Sequence, residues 1–272
     1  MGRYKKILVA VDGSESSMHA LRESFKLAKN EQSWITVVSV APPYEGDLAM
    51  TVIGNVQKAI KEPFEKALTE AEKIAKAEGL LIKTVYMEGE PYEGIVDIAA
   101  AEHGDLIVMG RKGLSRFERI LMGSVTARVI GHTLCKILIV PKEAKLSFEK
   151  ILIATDGSMH SEFASHEAID IAKRSGSALI VLSVAKKDEN LPTAKGCVDI
   201  VKRVAEKEGI KVETLIRKGV PHEIIVNTGA HEDVGLIVIG SHGRTGITKL
   251  FMGSVTERVI GHAKCAVLVW KL

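Results

Sequence analysis

Cysteine is scarce in this sequence of 272 residues: Cys135, Cys197 and Cys265 stand far apart and are odd in number. They offer no disulfide framework and no CxxC metal or redox pair. An excess of one charge is also missing. Lysine plus arginine number 37 against 34 aspartates and glutamates, a formal +3 spread along the chain, which leaves no electrostatic footprint for nucleic acid or a membrane surface. No apolar run approaches the ~20 residues of a membrane helix, and the N-terminal Met-Gly-Arg-Tyr-Lys-Lys-Ile passes into a strand pattern without a signal-peptide core. A cytoplasmic protein with neither nucleic acid nor membrane as partner is expected. Glutamine occurs only at Gln32 and Gln57, a thermophile-like trait without functional weight. What is present is 46% hydrophobic residues, ample for a packed core, in a length that suggests about two domains.

The sequence repeats itself. Tyr4-Lys-Lys-Ile-Leu-Val-Ala-Val-Asp-Gly-Ser14 returns as Phe148-Glu-Lys-Ile-Leu-Ile-Ala-Thr-Asp-Gly-Ser158, identical at seven of eleven positions at an offset of 144. Met122-Gly-Ser-Val-Thr-Ala-Arg-Val-Ile-Gly-His132 returns at Met252 to His262, identical at ten of eleven at an offset of 130. The difference in offset gives the first half 14 more residues, between Ala41 and Glu70. A period of this size is a domain duplication rather than a solenoid repeat. The seam falls in the polar stretch Lys142 to Ser147, giving domains 1–144 and 145–272.

Within each half, β-branched runs alternate with segments of helical period, the pattern of a parallel sheet covered by helices. Strands are predicted near 5–11, 34–40, 81–87, 105–110 and 136–140, and again near 150–155, 178–184, 211–216, 235–240 and 266–270. Ser14 is placed to cap a first helix reaching about Asn30, and a second amphipathic helix runs from about Asn55 to Glu78, stopped by Gly79. Pro91 opens a third helix and Ser124 caps a fourth. Apolar runs such as Asp105-Leu-Ile-Val-Met-Gly110 predict central strands buried on both faces.

After the fourth strand each half carries one spaced motif, Gly110-x2-Gly113-x9-Gly123-Ser124 and Gly240-x2-Gly243-x9-Gly253-Ser254. The early glycines would let backbone N–H groups approach a ligand, and the late Gly-Ser opens a helix whose N–H groups and dipole favour phosphate. The first strand ends at Asp12-Gly13 and Asp156-Gly157, where a carboxylate could hold a metal, a ribose hydroxyl or an amide. Ligands of open α/β sheets bind at such strand ends. Arg111, Lys112, Arg116 and Arg119 in one loop, and His242, Arg244 and Lys249 in the other, would neutralise phosphates. Tight turns and a solvated basic loop would use the same residues, so both alternatives stay open. Neither a GxxxxGK[ST] phosphate loop nor a GxGxxG fingerprint occurs, which removes P-loop NTPases and ordinary dinucleotide-binding domains.

With the Lys-Ile-Leu-x-x-x-Asp-Gly-Ser start, the glycine-serine motif and the ending Val-Thr-x-Arg-Val-Ile-x-His in both halves, the chain resembles a tandem universal stress protein along its whole length. That resemblance implies an α/β fold of two tandem open parallel five-stranded sheets, order 3-2-1-4-5, with helices on both faces. It implies ATP or another adenine nucleotide, AMP or ADP, bound between strands one and four, with Mg²⁺ entering through the ATPase alternative below. Gly110, Gly113, Gly123 and Ser124 would contact ribose and phosphates, with Asp12 beside the nucleotide and Val40 against adenine. The matching residues of the second half are Gly240, Gly243, Gly253, Ser254, Asp156 and Val184. The shorter segment after Ala185 implies unequal affinities. The Gly240-Ser-His-Gly-Arg-Thr-Gly246 loop favours the second site, while its shorter cover argues the other way.

His132 with Cys135 and His262 with Cys265 form H-x2-C pairs, but structural zinc takes four ligands, so no metal site is assigned. Cys197 has no repeat partner and reads as a helix residue, and His160 and His166 read as solvent-facing. The apolar last strands Lys136-Ile-Leu-Ile-Val-Pro141 and Ala266-Val-Leu-Val-Trp-Lys271 should lie at sheet edges, which invite pairing. The resemblance implies that they pair as an internal pseudo-dimer, with a homodimer as a further association. The leading functional expectation is a non-catalytic adenine-nucleotide sensor or regulator with an unidentified protein partner and no catalytic residues. A slow Mg-dependent ATPase or nucleotidyl-transfer enzyme acting through Asp12 or Asp156, and a nucleotide-free interaction scaffold, are the alternatives.

Overall fold

The computed structural model describes residues 4–43, 54–114, 122–244 and 252–271. The chain divides into two compact units, Met1–Cys135 and Lys136–Leu272. The first contains β1 (Lys6–Ala10), α1 (Glu15–Glu31), β2 (Trp34–Ala41), α2 (Gly54–Ala77), β3 (Ile82–Glu88), α3 (Pro91–Ala101), β4 (Leu106–Gly110) and α4 (Ser124–His132). The second contains β5 (Lys136–Val140), β6 (Lys150–Ala154), α5 (Met159–Ser175), β7 (Ala178–Ala185), α6 (Leu191–Lys207), β8 (Val212–Lys218), α7 (Pro221–His231), β9 (Leu236–Gly240), α8 (Ser254–His262) and β10 (Ala266–Trp270). A single 3-10 turn, Asp188–Asn190, leads into α6.

In the first unit the strands lie in the order β3-β2-β1-β4, all parallel. In the second the order is β8-β7-β6-β9-β10, parallel throughout, which is the expected 3-2-1-4-5 winding. The arrangement departs from two separate five-stranded sheets at one strand. β5 belongs to the second unit, where it runs antiparallel to β10 with Leu138 opposite Leu268. Ile137 to Val140 and Ala266 to Val269 are all buried, so this pairing removes an apolar edge that water would otherwise meet.

Successive residues of β4, Leu106 to Met109, and of β9, Leu236 to Ile239, are all buried. Side chains alternate faces along a strand, so unbroken burial means that both faces are covered. Each such aliphatic side chain contributes about 1.5–3 kcal/mol on burial. The outer strands β3 and β8 carry more exposed residues.

The entry to the first helix of each unit follows from its sequence. The Ser14 hydroxyl accepts from the Ser17 N–H at 3.2 Å and caps α1, and Ser158 does the same for α5 through Ser161 at 3.4 Å. Gly13 (φ 79°) and Gly157 (φ 74°) make the left-handed turn before each cap. At the fourth helix the structure corrects the expectation. Gly123 and Gly253 are the extended N-cap residues, while Ser124 and Ser254 are the first helical residues and are exposed. Neither cap makes a side-chain hydrogen bond, because glycine has no side chain to offer.

Candidate functional site

In the second unit the ends of β6, β7 and β9, the first turns of α6 and the N-terminus of α8 surround a cavity of about 600 Å³. That volume is of the size that holds a small-molecule ligand. Asp156, Val184, Gly240, Gly243, Gly253 and Ser254 all line it. The four motif residues thus share one cavity with Asp156 from the end of the first strand and Val184 from the family resemblance, although the six span nearly a hundred residues of chain.

Asp156 organises the cavity floor. One carboxylate oxygen accepts the Ser158 N–H at 3.0 Å and the other accepts the Arg244 N–H at 3.0 Å, so the residue ties the end of β6 to the loop after β9. Burial works against ionisation of Asp156. The donors from Ser158, Arg244 and Ser161 together outweigh it and hold the carboxyl below the usual carboxylate range. The Arg244 guanidinium reaches across Gly157 to the Cys197 Sγ at 3.3 Å. Burial, opposed by the Arg244 charge, pushes the Cys197 thiol up.

The early glycines have a reason that spacing alone did not reveal. A Cβ on Gly240 would lie 2.7 Å from the His160 carbonyl carbon, and one on Gly243 would lie 2.7 Å from the Asp156 carboxylate. The space beside these glycines is filled by protein: the first lets α5 approach β9, the second lets the loop close on Asp156. A Cβ on Gly253 would be tight but accommodated, at 3.3 Å from the Ser241 carbonyl oxygen. The N–H groups of the first turn of α8 open beside the cavity, and their partial positive charge favours an anion there. Lys186 and Arg244 add formal cations to the lining.

A third wall is absent from the sequence reading. Asn190, Thr193, Ala194 and Cys197 line the cavity from the start of α6. Their spacing, i, i+3, i+4 and i+7, is one stripe of a helix. A stripe of small and polar residues on a helix otherwise packed by Val198, Val201 and Ala205 is the signal that could have marked it. With Val184, Pro221 and Ile225 it makes the apolar end of the cavity.

The first unit repeats the backbone frame. Leu114 N–H donates to Asp12 at 3.0 Å, Ser14 N–H donates to the other oxygen at 3.0 Å, and Gly123 N–H donates to the Arg111 carbonyl at 2.9 Å. A Cβ on Gly110 would strike the Ser16 backbone, and one on Gly113 would strike the Asp12 carboxylate. Asp12, Gly110, Gly113 and Gly123 are thus brought together, with the exposed Ser124 following Gly123. The side chains differ. Gly13 packs against Ala67 where Gly157 packs against Cys197, which aligns Pro63 and Phe64 of α2 with Thr193 and Ala194 of α6. Val40 is buried, whereas Val184 is half-buried and faces open space. Of the cations read from the sequence, Arg116, Arg119 and Lys249 lie outside the described residues.

His132 and His262 are helix-end residues whose Nδ1–H groups donate to the Arg128 and Arg258 carbonyls, at 2.7 and 2.8 Å. Cys135 donates to the Gly104 carbonyl at 3.1 Å. Among the described residues there is no group of three or more His, Cys, Asp or Glu that could hold a metal ion, and no helix is long and apolar enough to cross a membrane. His160, expected at the surface beside His166, instead lies half-buried with its ring 5.2 Å from that of His242, which the packing of α5 on β9 brings about.

Comparison with known proteins agrees with this frame. The model of the Universal stress protein family matches residues 3–141 and 147–271. Universal stress protein MJ0531 of Methanocaldococcus jannaschii is 38% identical over 149 residues, covering 52% of this chain and 85% of its own. A universal stress protein of Mycolicibacterium smegmatis is 26% identical over 285 residues, covering 97% of this chain and 96% of its own. The crystal structure of a universal stress protein from Archaeoglobus fulgidus DSM 4304 superposes with a TM-score of 0.79 at 26% identity, covering 98% of this chain and 96% of that one.

Proposed function

The chain belongs to the universal stress protein family, and from the chemistry of its second unit we propose that it binds an adenine nucleotide, ATP in the first instance, and acts by binding rather than by turnover. The observation that carries this reading is the two-ended cavity. One end is apolar, with Val184, Ala194 and Ile225 to receive a base. The other presents the N-terminus of α8, Ser254 and Arg244 to an anion. Gly240 lets α5 approach β9, Gly243 lets the loop close on Asp156, and Asp156 secures the loop carrying Arg244.

The same site favours holding over hydrolysis. Phosphoryl transfer needs a group that orients the nucleophile, and both oxygens of Asp156, the carboxylate at the cavity floor, already accept backbone N–H groups. A bound ligand stabilises the state that binds it, and it signals when two conformations differ in affinity. A sensor or regulator read by a partner protein fits that behaviour. Asp12, Gly110, Gly113, Gly123 and Ser124, with Val40 nearby, offer the first unit a second version of the site, of lower affinity because Phe64 stands where Ala194 opens the cavity.

Native mass spectrometry of the full chain incubated with ATP and Mg²⁺, followed by identification of the released nucleotide, tests the proposal. Intact ATP retained by the wild type and lost in Ser254→Asp, which puts a negative charge at the anion end, is the expected result. Accumulating ADP would replace the sensor with an enzyme, and no retained nucleotide would sink the reading.

A further inference from the structure

The duplication changes the chemistry of one corner of the site. A Cβ on Gly110 would strike Ser16 in the first unit, and a Cβ on Gly240 strikes His160 at the equivalent place in the second. Two residues after these glycines stand Lys112 and His242. Ser16 and Lys112 of one unit thus correspond in sequence to a pair of imidazoles in the other. The rings lie 5.2 Å apart, the His242 Nδ1 is 3.1 Å from the Ser241 hydroxyl, and His242 lines the cavity at its anion end.

We propose that the second unit takes up its phosphate-bearing ligand together with a proton, received by the His160–His242 pair. The inference rests on the nucleotide reading and adds regulation by pH to it. Imidazoles change charge between about pH 5 and 8. Among the described residues, Lys271 after β10 and Asp156 after β6 act on His160, while Arg244 on the His242 loop, Lys186 after β7 and Cys197 on α6 line the same cavity. The Asp156 oxygens already accept the Ser158 and Arg244 N–H groups. Burial, the neighbouring His242 and Lys271 hold His160 below the usual imidazole range, with Asp156 pulling the other way. A further positive charge on His160 is therefore disfavoured until an anion is bound. A phosphate beside His242 supplies the counter-charge, so the protonated imidazole gains in the complex, and by linkage the affinity rises as pH falls.

Isothermal titration calorimetry of the full chain with ATP, from pH 6 to 8 and in two buffers of different ionisation enthalpy, counts the protons taken up. Ionisation of ATP, and heat from the first unit, are common to wild type and variants and cancel in their ratio. The affinity of wild type relative to His242→Gln should rise about tenfold from pH 8 to pH 6, short of the limit of tenfold per pH unit set by coupling to one proton. His242→Lys, the residue of the first unit, should flatten that dependence. His160→Ser, again the first unit's residue, should move its midpoint upward by removing a competing imidazole. A ratio of wild type to His242→Gln that stays constant across the range overturns the proton coupling and leaves nucleotide binding standing. Absence of ATP binding at every pH overturns the nucleotide reading and the coupling with it.

Discussion

The backbone N–H of Arg244 donates to the Asp156 carboxylate at 3.0 Å, fixing the loop after β9 to the end of β6 across 88 residues of sequence. Leu114 and Asp12 make the same contact in the first unit at 3.0 Å. The cavity depends on this bond, because it orients the loop that lines the anion end.

Replacing Asp156 with Asn keeps an acceptor for Ser158 but turns an amide NH₂ toward the Arg244 N–H. A hydrogen bond to a charged group contributes about 1.5–3 kcal/mol, and a loss of that size is expected in urea denaturation at pH 7. The carboxyl is held below its ordinary value in the folded protein. Its contribution is thus present above the unfolded pKa of about 3.9 and is lost as pH falls through the lower folded value. The stability gap between wild type and Asp156→Asn should close below that window; a gap unchanged at pH 2–3 would remove this assignment.

Gly240→Ala should be far more damaging than Gly253→Ala. The added methyl would meet the α5 backbone at 2.7 Å in the first case and find 3.3 Å in the second. Overpacking against backbone costs about 1–3 kcal/mol or more. Equal denaturation midpoints for the two variants would contradict the packing role of Gly240.

Ala194→Phe should close the second cavity without unfolding the unit, because α2 carries Phe64 at the matching place. Retained ATP should fall by about a hundredfold, the loss of roughly 2.7 kcal/mol of binding free energy, with the circular dichroism spectrum unchanged. Undiminished binding would place the ligand elsewhere.

The cysteines should differ in reactivity. Burial pushes the Cys265 thiol up to about 11, which leaves about two orders of magnitude less thiolate at pH 8 than an ordinary thiol. Cys197, also raised by burial, faces the cavity beside Arg244. Mass-spectrometric mapping of iodoacetamide labelling should show Cys265 among the slowest sites, and bound ATP should slow Cys197 but not Cys135. Labelling of Cys197 indifferent to ATP would argue against a ligand along α6.

Much of the architecture is legible in local sequence pattern. The strand expected at 34–40 is Trp34–Ala41, the one expected at 266–270 is Ala266–Trp270, and Ser14 caps α1 as its position beside Asp12-Gly13 implies. These features depend on side-chain period and local hydrogen bonding, which neighbouring residues settle among themselves. The cap of α4 lies one residue from its expected place. A serine is the usual N-cap, but here Gly123 takes the extended conformation and Ser124 begins the helix.

The sequence by itself determined the duplication, the two parallel α/β units and the glycine spacing, since each is written in local periodicity or in direct repetition. Tertiary structure alone decided that Asn190, Thr193, Ala194 and Cys197 would wall a cavity, and that His160 would meet His242. Those contacts join residues far apart in the chain. Their partners are chosen by which apolar surfaces must be covered and how closely α5 and α6 can approach strand ends bearing glycine, and no single segment carries that information.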